Sequence, residues 1–202
     1  MREVDVLIVG GSAAGSVAGI TAKRHYPDCS VTLIRKEEKV LIPCGIPYIF
    51  GTVGSTEKNL IPDALLSKNG IDLVVDEAIS IDRGAKTVST EGGETIGYEK
   101  LVLGTGSLPI RLHLPGANLA NVFVVKKDVP YLNGALQVMG QIEDLVVIGG
   151  GFIGLEFADE CRKRGLGVTV VELLPYCLYL VFDEKICLRV RDELGECGIK
   201  VL

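Results

Sequence analysis

The chain has 202 residues, a formal net charge of −5 and ordinary apolar and charged fractions, so one or two soluble-type domains are expected. The acidic balance excludes the basic face that a nucleic-acid binder needs, and no apolar run approaches the roughly 20 residues that cross a bilayer. The N-terminus opens on a strand interrupted by Arg2, Glu3 and Asp5, which does not read as a signal peptide, so a cytoplasmic location is expected.

Residues 4–9 are short, continuous and rich in Val and Ile, the pattern of a buried parallel strand. A glycine turn follows, Gly10-Gly11-Ser12-Ala13-Ala14-Gly15, then a small-residue helix over 13–25 and a second strand over 30–34. Together they make a βαβ unit. Residues 35–43 read as a charged loop. Residues 44–50, with Gly45 and Pro47, open a short helix, and 58–68 read as a helix closed by Asn69-Gly70. A strand is expected over 71–75, and an antiparallel hairpin over 86–90 and 94–98 around Gly92-Gly93. Another strand, 101–103, runs into Gly104-Thr105-Gly106-Ser107-Leu108-Pro109.

Residues 109–121 hold two prolines and little periodicity, which places a domain boundary there: residues 1–112 and 113–202. The second half repeats the first pattern. A helix over 128–139 precedes a strand at 145–148, a helix at 152–164, a strand at 168–172 and a helix at 183–196. Residues 199–202 begin a further strand, and a chain that stops there reads as a truncated molecule. The fold class is therefore α/β, with two Rossmann-like dinucleotide-binding units, both incomplete, and a small antiparallel β-hairpin insertion.

The second glycine turn, Gly149-Gly150-Gly151-Phe152-Ile153-Gly154, follows a strand and opens a helix. Gly149 permits the tight turn, Gly151 the approach of a pyrophosphate, and Gly154 close packing of helix on strand. The phosphates would face the helix N-terminus, with free N–H groups and the positive end of the dipole. Glu172 ends the next strand, where an acid accepts hydrogen bonds from a ribose 2′-hydroxyl. A carboxylate there repels a 2′-phosphate, so NADH is expected over NADPH. A glycine-rich turn without a ligand is the competing explanation.

The first turn departs from that pattern. Ser12 replaces the middle glycine, and its small hydroxyl permits close approach and can donate to phosphate. The expected acid is absent: Arg35 stands there, followed by Lys36 and Glu37. Either Glu37 reaches the ribose or the cation pairs with phosphate. Read alone, this turn also fits a close-packed helix start with no dinucleotide.

Six cysteines (Cys29, Cys44, Cys161, Cys177, Cys187 and Cys197) form no Cys-x-x-Cys pair, and the two histidines, His25 and His113, are scattered, so no metal site is expected. Free thiols in a reducing compartment fit five of them. Cys44 is different, lying at the start of a short helix in Ile42-Pro43-Cys44-Gly45-Ile46-Pro47-Tyr48, where a thiolate is favoured. Its competing reading is a buried, inert thiol.

Residues 98–109, Tyr-Glu-Lys-Leu-Val-Leu-Gly-Thr-Gly-Ser-Leu-Pro, resemble the Tyr-Asp-x-Leu-hydrophobic-x-Ala-Thr-Gly-Ser-x-Pro segment of flavin-dependent pyridine-nucleotide-disulfide oxidoreductases. The resemblance covers all 202 residues but only about the first half of a family member. It implies glutathione-reductase-like FAD and NAD domains, with FAD on the first turn and NADH on the second. It also implies that Thr105, Gly106 and Ser107 adjoin the flavin, and that the Asp76-Glu77-Ala78 segment meets the adenine at Ala78. Pro43 and the lone Cys44 resemble the single-cysteine branch, which includes coenzyme A disulfide reductases, CoA-persulfide reductases, NADH oxidases and NADH peroxidases. In that branch electrons pass from NADH through FAD to one redox-active cysteine and a small thiol or disulfide substrate, coenzyme A among them. The peroxidase and oxidase members carry a His in the first turn. Here Ser12-Ala13-Ala14-Gly15 has none, which favours a disulfide or persulfide over oxygen or peroxide. The branch further implies a homodimeric parent and contacts from Thr21, Lys23 and Arg24 to coenzyme A. The alternatives carried with this reading are an NADH oxidase or peroxidase, and a nucleotide-binding fragment without turnover.

Overall fold

The computed structural model describes residues 2–202. The chain divides into two compact units, one of residues 1–43, 60–117 and 124–129, the other of residues 44–59, 118–123 and 130–202.

The first unit is built on a six-stranded sheet. Its strands are β1 (Arg2–Val9), β2 (Val31–Arg35), β3 (Asp72–Val75), β4 (Ala78–Asp82), β5 (Thr87–Thr90) and β6 (Thr95–Leu103), in the order β3-β2-β1-β6-β5-β4. β3, β2, β1 and β6 are parallel, and β5 and β4 extend the sheet antiparallel. The chain leaves β1 to one side for β2 and returns on its other side as β6. The C-terminal end of β1 is thus a point where strand order reverses, the place where open α/β sheets bind ligands. Gly10 sits there. Helix α1 (Ala13–His25) covers this sheet, with Gly15, Ser16 and Gly19 on its buried face. Leu7, Ile8, Leu33 and Ile34 are fully buried in β1 and β2, each worth about 1.5–3 kcal/mol over exposure.

Two expectations need correcting here. Residues 58–68 are not one helix: a 3-10 turn, Glu57–Asn59, and a short α3 (Ala64–Lys68) are separated by a bridge from Leu60 to Leu41. Pro62 explains the break, since its ring disfavours helical backbone at the residue before it. The segments 94–98 and 101–103 are also not separate strands. They form the single nine-residue β6, which pairs antiparallel with β5 at one end and parallel with β1 along its length.

The second unit has a parallel sheet ordered β7-β8-β9: β7 (Asp144–Ile148), β8 (Gly167–Val171) and β9 (Ile199–Val201). Helix α5 (Phe152–Lys163) turns Ala158 and Cys161 inward, and α6 (Glu184–Glu196) buries Cys187. Helix α4 (Val129–Met139) buries Leu132, Ala135 and Met139. The short α2 (Ile46–Ile49), entered through a 3-10 turn over Pro43–Gly45, also packs in this unit against α5. Among the described residues, no helix is long and apolar enough to cross a membrane.

Candidate nucleotide and thiol sites

In the first unit the turn after β1 is tightly enclosed. Gly10 has φ +110°, its N–H donates to the Ile34 carbonyl at 2.8 Å, and a Cβ there would collide with the Gly104 carbonyl. A Cβ on Gly15 would collide with the carbonyl of Gly10. The three glycines Gly10, Gly15 and Gly104 therefore let turn, helix and the end of β6 close together. Ser12 takes the N-cap position of α1, yet its side chain makes no capping bond. Its Oγ is buried and is the one such side-chain atom without a partner among the described residues. A buried hydroxyl left unpaired costs about 1–3 kcal/mol, so this atom marks a place for an acceptor. A pyrophosphate oxygen at the N-terminus of α1 fits it. Ala13 and Ala14 are exposed in the first helical turn, which holds no acid.

The other residues singled out around this turn divide. Thr105, Gly106 and Ser107 follow β6, and all three are exposed. Lys127 Nζ donates to the carbonyl and hydroxyl of Ser107 at 3.3 and 3.5 Å. Ala78 opens β4, and beside it Asp76 accepts from the N–H groups of Glu77 and Gly92 at 2.8 and 3.1 Å. The Thr90 hydroxyl holds the Asp76 carboxyl below its usual range, with Glu77 and Gly92 adding to the effect against partial desolvation. Lys36 lies 3.5 Å from Glu77 at the surface.

Arg35 does not offer its guanidinium to a phosphate. The side chain is 1% exposed and lies against Gly11, with Nη1 and Nη2 on the Asp63 carboxylate at 2.7 and 2.9 Å. Nε and Nη2 also donate to the carbonyls of Glu37 and Glu38 at 2.8 and 2.9 Å. Glu37 thus contributes its main chain to Arg35, and its side chain is exposed. The cation that replaces the usual acid is a strut beneath the glycine turn.

The second turn repeats the backbone with different surroundings. Gly149 has φ +107°, and its N–H donates to the Val171 carbonyl at 2.8 Å. A Cβ on Gly154 would collide with the Gly149 carbonyl, as on Gly15. A Cβ on Gly149 or Gly151 would meet nothing within 4 Å. Helix α5 starts beyond Gly151 with no side-chain cap and no acid in its first turn, where Phe152 and Ile153 are exposed. Helix α6, which follows no glycine turn, has both devices: Asp183 accepts from Ile186 N–H at 3.0 Å, and Glu184 lies in the first turn. Both helices after glycine turns thus lack the two devices that α6 has, and their first N–H groups can take an external anion.

Glu172 stands just past β8. Its Oε2 accepts from Gly150 N–H at 2.6 Å and its Oε1 from Leu174 N–H at 2.9 Å. The Leu174 N–H, with those of Gly150 and Leu173, holds the carboxyl below its usual range against partial desolvation, so it is ionised at neutral pH. The acid expected at the ribose is present and fixed to the loop itself.

Cys44 is exposed, while Cys161, Cys177 and Cys187 are buried. The turn behind Cys44 is shaped by Gly45, where a Cβ would collide with the buried Asn59 amide. Pro43 is half-buried in the same turn. Sequence reasoning missed Glu160, 1% exposed on α5. It lies one helical turn past Glu156 in an ordinary-looking Asp159-Glu160 pair, and no local signal separates a buried acid from a surface one.

A strand-order switch point and two glycine turns, each opening a helix without a side-chain cap, are the frame of the α/β dinucleotide-binding folds. The chain belongs to the pyridine nucleotide-disulphide oxidoreductase family, whose profile matches residues 4–202. It is 33% identical over 199 residues to the NAD(P)H sulfur oxidoreductase (CoA-dependent) of Pyrococcus abyssi, covering 95% of this chain and 44% of that protein. It is 30% identical to the NADH oxidase of Methanocaldococcus jannaschii, covering 97% of this chain and 46% of that one. Among solved structures, an NAD-dependent persulfide reductase from A. fulgidus superposes with a TM-score of 0.86 at 28% identity, covering 98% of this chain and 39% of that one. The chain spans less than half the length of these relatives.

Proposed function

We propose that this chain is the nucleotide- and thiol-bearing part of a flavin-dependent oxidoreductase. It would take electrons from NADH to a small disulfide or persulfide, coenzyme A disulfide or persulfide among them. FAD belongs on Gly10–Gly15 and NADH on Gly149–Gly154. The observation that carries the reading is the pair of uncapped, acid-free N-termini on α1 and α5, set against the capped α6. The relatives named for sulfur and persulfide chemistry support the substrate class. A cytoplasmic, homodimeric parent fits the same reading.

When bound, the two dinucleotides supply the hydride and electron chemistry. The protein's part is positioning and sulfur chemistry. Ser12 Oγ and the first amides of α1 hold the first pyrophosphate, and Gly149, Gly151 and the first amides of α5 hold the second. Glu172 accepts from a ribose hydroxyl and repels a 2′-phosphate. The Cys44 thiolate attacks one sulfur of the substrate. The substrate S–S bond breaks, a bond forms between Cys44 Sγ and one half, and the other half leaves as a thiolate that takes a proton. Release of the second half as a thiol consumes two electrons and a proton, and the Cys44 thiolate returns.

The test is NADH consumption by the protein supplied with FAD and coenzyme A disulfide under anaerobic conditions. Turnover that disappears in Cys44→Ser, with NADH binding retained, is the expected result. Full activity in Cys44→Ser would remove the thiol from the mechanism. NADH-dependent oxygen uptake with no disulfide reduction would move the protein to the oxidase class.

A further inference from the structure

Helix α5 carries the second glycine turn at its N-terminus and, two turns further along, the buried carboxylate of Glu160. An ionised group in such a place is costly unless it is paired and hydrogen-bonded on every side. Here it is. Oε2 accepts from Thr52 N–H at 2.5 Å, and Oε1 accepts from Thr52 Oγ1 at 3.0 Å and from Lys163 Nζ at 2.9 Å. Burial alone would raise its pKa, but Lys163 and the two Thr52 donors outweigh it and keep the carboxyl below its usual range.

Thr52 belongs to the segment that begins at Cys44, and the contact between segment and helix is shaped for it. A Cβ on Gly51 would run into the Glu160 main chain and lie 2.5 Å from Oε2. One turn back on α5, Phe157 meets Phe50 with ring centroids 5.1 Å apart. Farther along the segment, Thr56 Oγ1 bonds Asn133 Oδ1 of α4 at 2.8 Å. A leucine at position 160 would fill this space without a buried charge, but apolar contact is non-directional. Two bonds to the N–H and O–H of one residue fix Thr52 in place and register.

We propose that Glu160 is a positioning residue that ties the Cys44 segment to the helix of the second glycine turn, so that a dinucleotide bound at that turn also steadies the turn behind the thiol. The proposal rests on the reading of Gly149–Gly154 as a dinucleotide site. A ligand at the N-terminus of α5 orders the helix, and Glu160 passes that order to residues 50–53. Ordering without a change of shape is a sufficient coupling. In a flavin-dependent reductase, this would present the thiol steadily while the reductant is bound.

Hydrogen exchange of the 202-residue chain with and without NAD+ tests this. The reporters are the amides of Phe50, Gly51 and Val53, which donate to Pro47 and Tyr48 carbonyls. In the wild type, NAD+ should slow exchange both at 149–155 and at 50–53. In Glu160→Gln the amide cannot accept from all three donors at once. Exchange at 50–53 without ligand should quicken about tenfold, the scale of a lost bond to a charged group. NAD+ should then protect 149–155 alone. Thr52→Ser keeps both donors and should behave as wild type, whereas Thr52→Val loses the hydroxyl and should weaken the response at 50–53. This serine–valine pair decides the matter if Glu160→Gln does not fold. A merely structural role predicts faster exchange with the NAD+ response at 50–53 intact, which overturns the proposal. So does a wild type protected at 149–155 only. A wild type protected at neither segment defeats the nucleotide reading itself, and the proposal with it.

Discussion

The two glycine turns share a backbone and differ in what stands beneath them. Gly10 and Gly149 have φ +110° and +107°, and in each turn the last glycine presses on the carbonyl of the first. Under the first turn lies the cation Arg35, locked onto Asp63 and two carbonyls, with the end of β6 closing in at Gly104. Under the second lies the anion Glu172, bonded to Gly150 N–H, with open space at Gly149 and Gly151. The glycine spacing sets the path of the chain. The residue at the end of the next strand sets whether the floor of the turn is a cation or an anion.

Alanine separates the turns most sharply. Gly10→Ala meets both a left-handed backbone and the Gly104 carbonyl, and should cost about 3 kcal/mol or more from overpacking and strain together. Gly149→Ala meets the backbone strain alone and should cost about 1–2 kcal/mol. Thermal melts of the two variants check this, and equal losses would erase the distinction. Next in size, Arg35→Ala removes the strut and leaves two carbonyls and the half-exposed Asp63 unpaired, a loss of about 2 kcal/mol. If Arg35 instead served a phosphate, its removal would leave the melt of the ligand-free protein unchanged.

Glu172→Gln probes the other floor and should cost about 1.5 kcal/mol at neutral pH, since the loop amides lose a charged acceptor. The Glu172 pKa is lowered from its usual 4.5. Its contribution is therefore present above the unfolded value and is lost as pH falls through the lower folded value. Urea melts of wild type and variant should differ at pH 7 and converge as the pH is taken below the usual glutamate range. The same variant should bind NADH about tenfold more weakly, the scale of one charged hydrogen bond. It should also discriminate less against NADPH. Unchanged discrimination would leave Glu172 a loop brace only.

Much of this was legible in the residue order. Helix α1 spans the expected 13–25, and α6 spans 184–196 within the expected 183–196, with Asp183 as its cap rather than its first helical residue. What was not legible depends on partners far away in sequence. β6 is continuous because β1 pairs with it from Ile96 to Leu103, while β5 pairs on its other edge with the first residues alone. Arg35 is structural because Asp63, 28 residues later, folds back onto it. Glu160 is buried because Thr52 lies 108 residues before it. Periodicity carries none of these contacts.

The smallest effect is chemical rather than energetic, and it compares the thiols themselves. Cys44 and Cys197 are exposed. Cys177 is buried against Gly150, and burial, with the nearby Glu172 charge adding to it, raises its pKa. Cys161 is fully buried on α5, and burial pushes its pKa up to about 11 despite Arg164. The thiolate is the reactive form, so at Cys161 and Cys177 burial lowers reactivity both by blocking access and by raising the pKa. Alkylation at pH 8, read peptide by peptide by mass spectrometry, should label Cys44 and Cys197 first and Cys177 slowly. Cys161 should react only when the chain unfolds. NAD+ should slow Cys177 further, because its cover is the Gly150 loop, and should leave Cys197 unchanged. Early labelling of Cys177 would mean that the second turn opens in solution. The contrast between an enclosed first turn and an accessible second one would then include motion as well as packing.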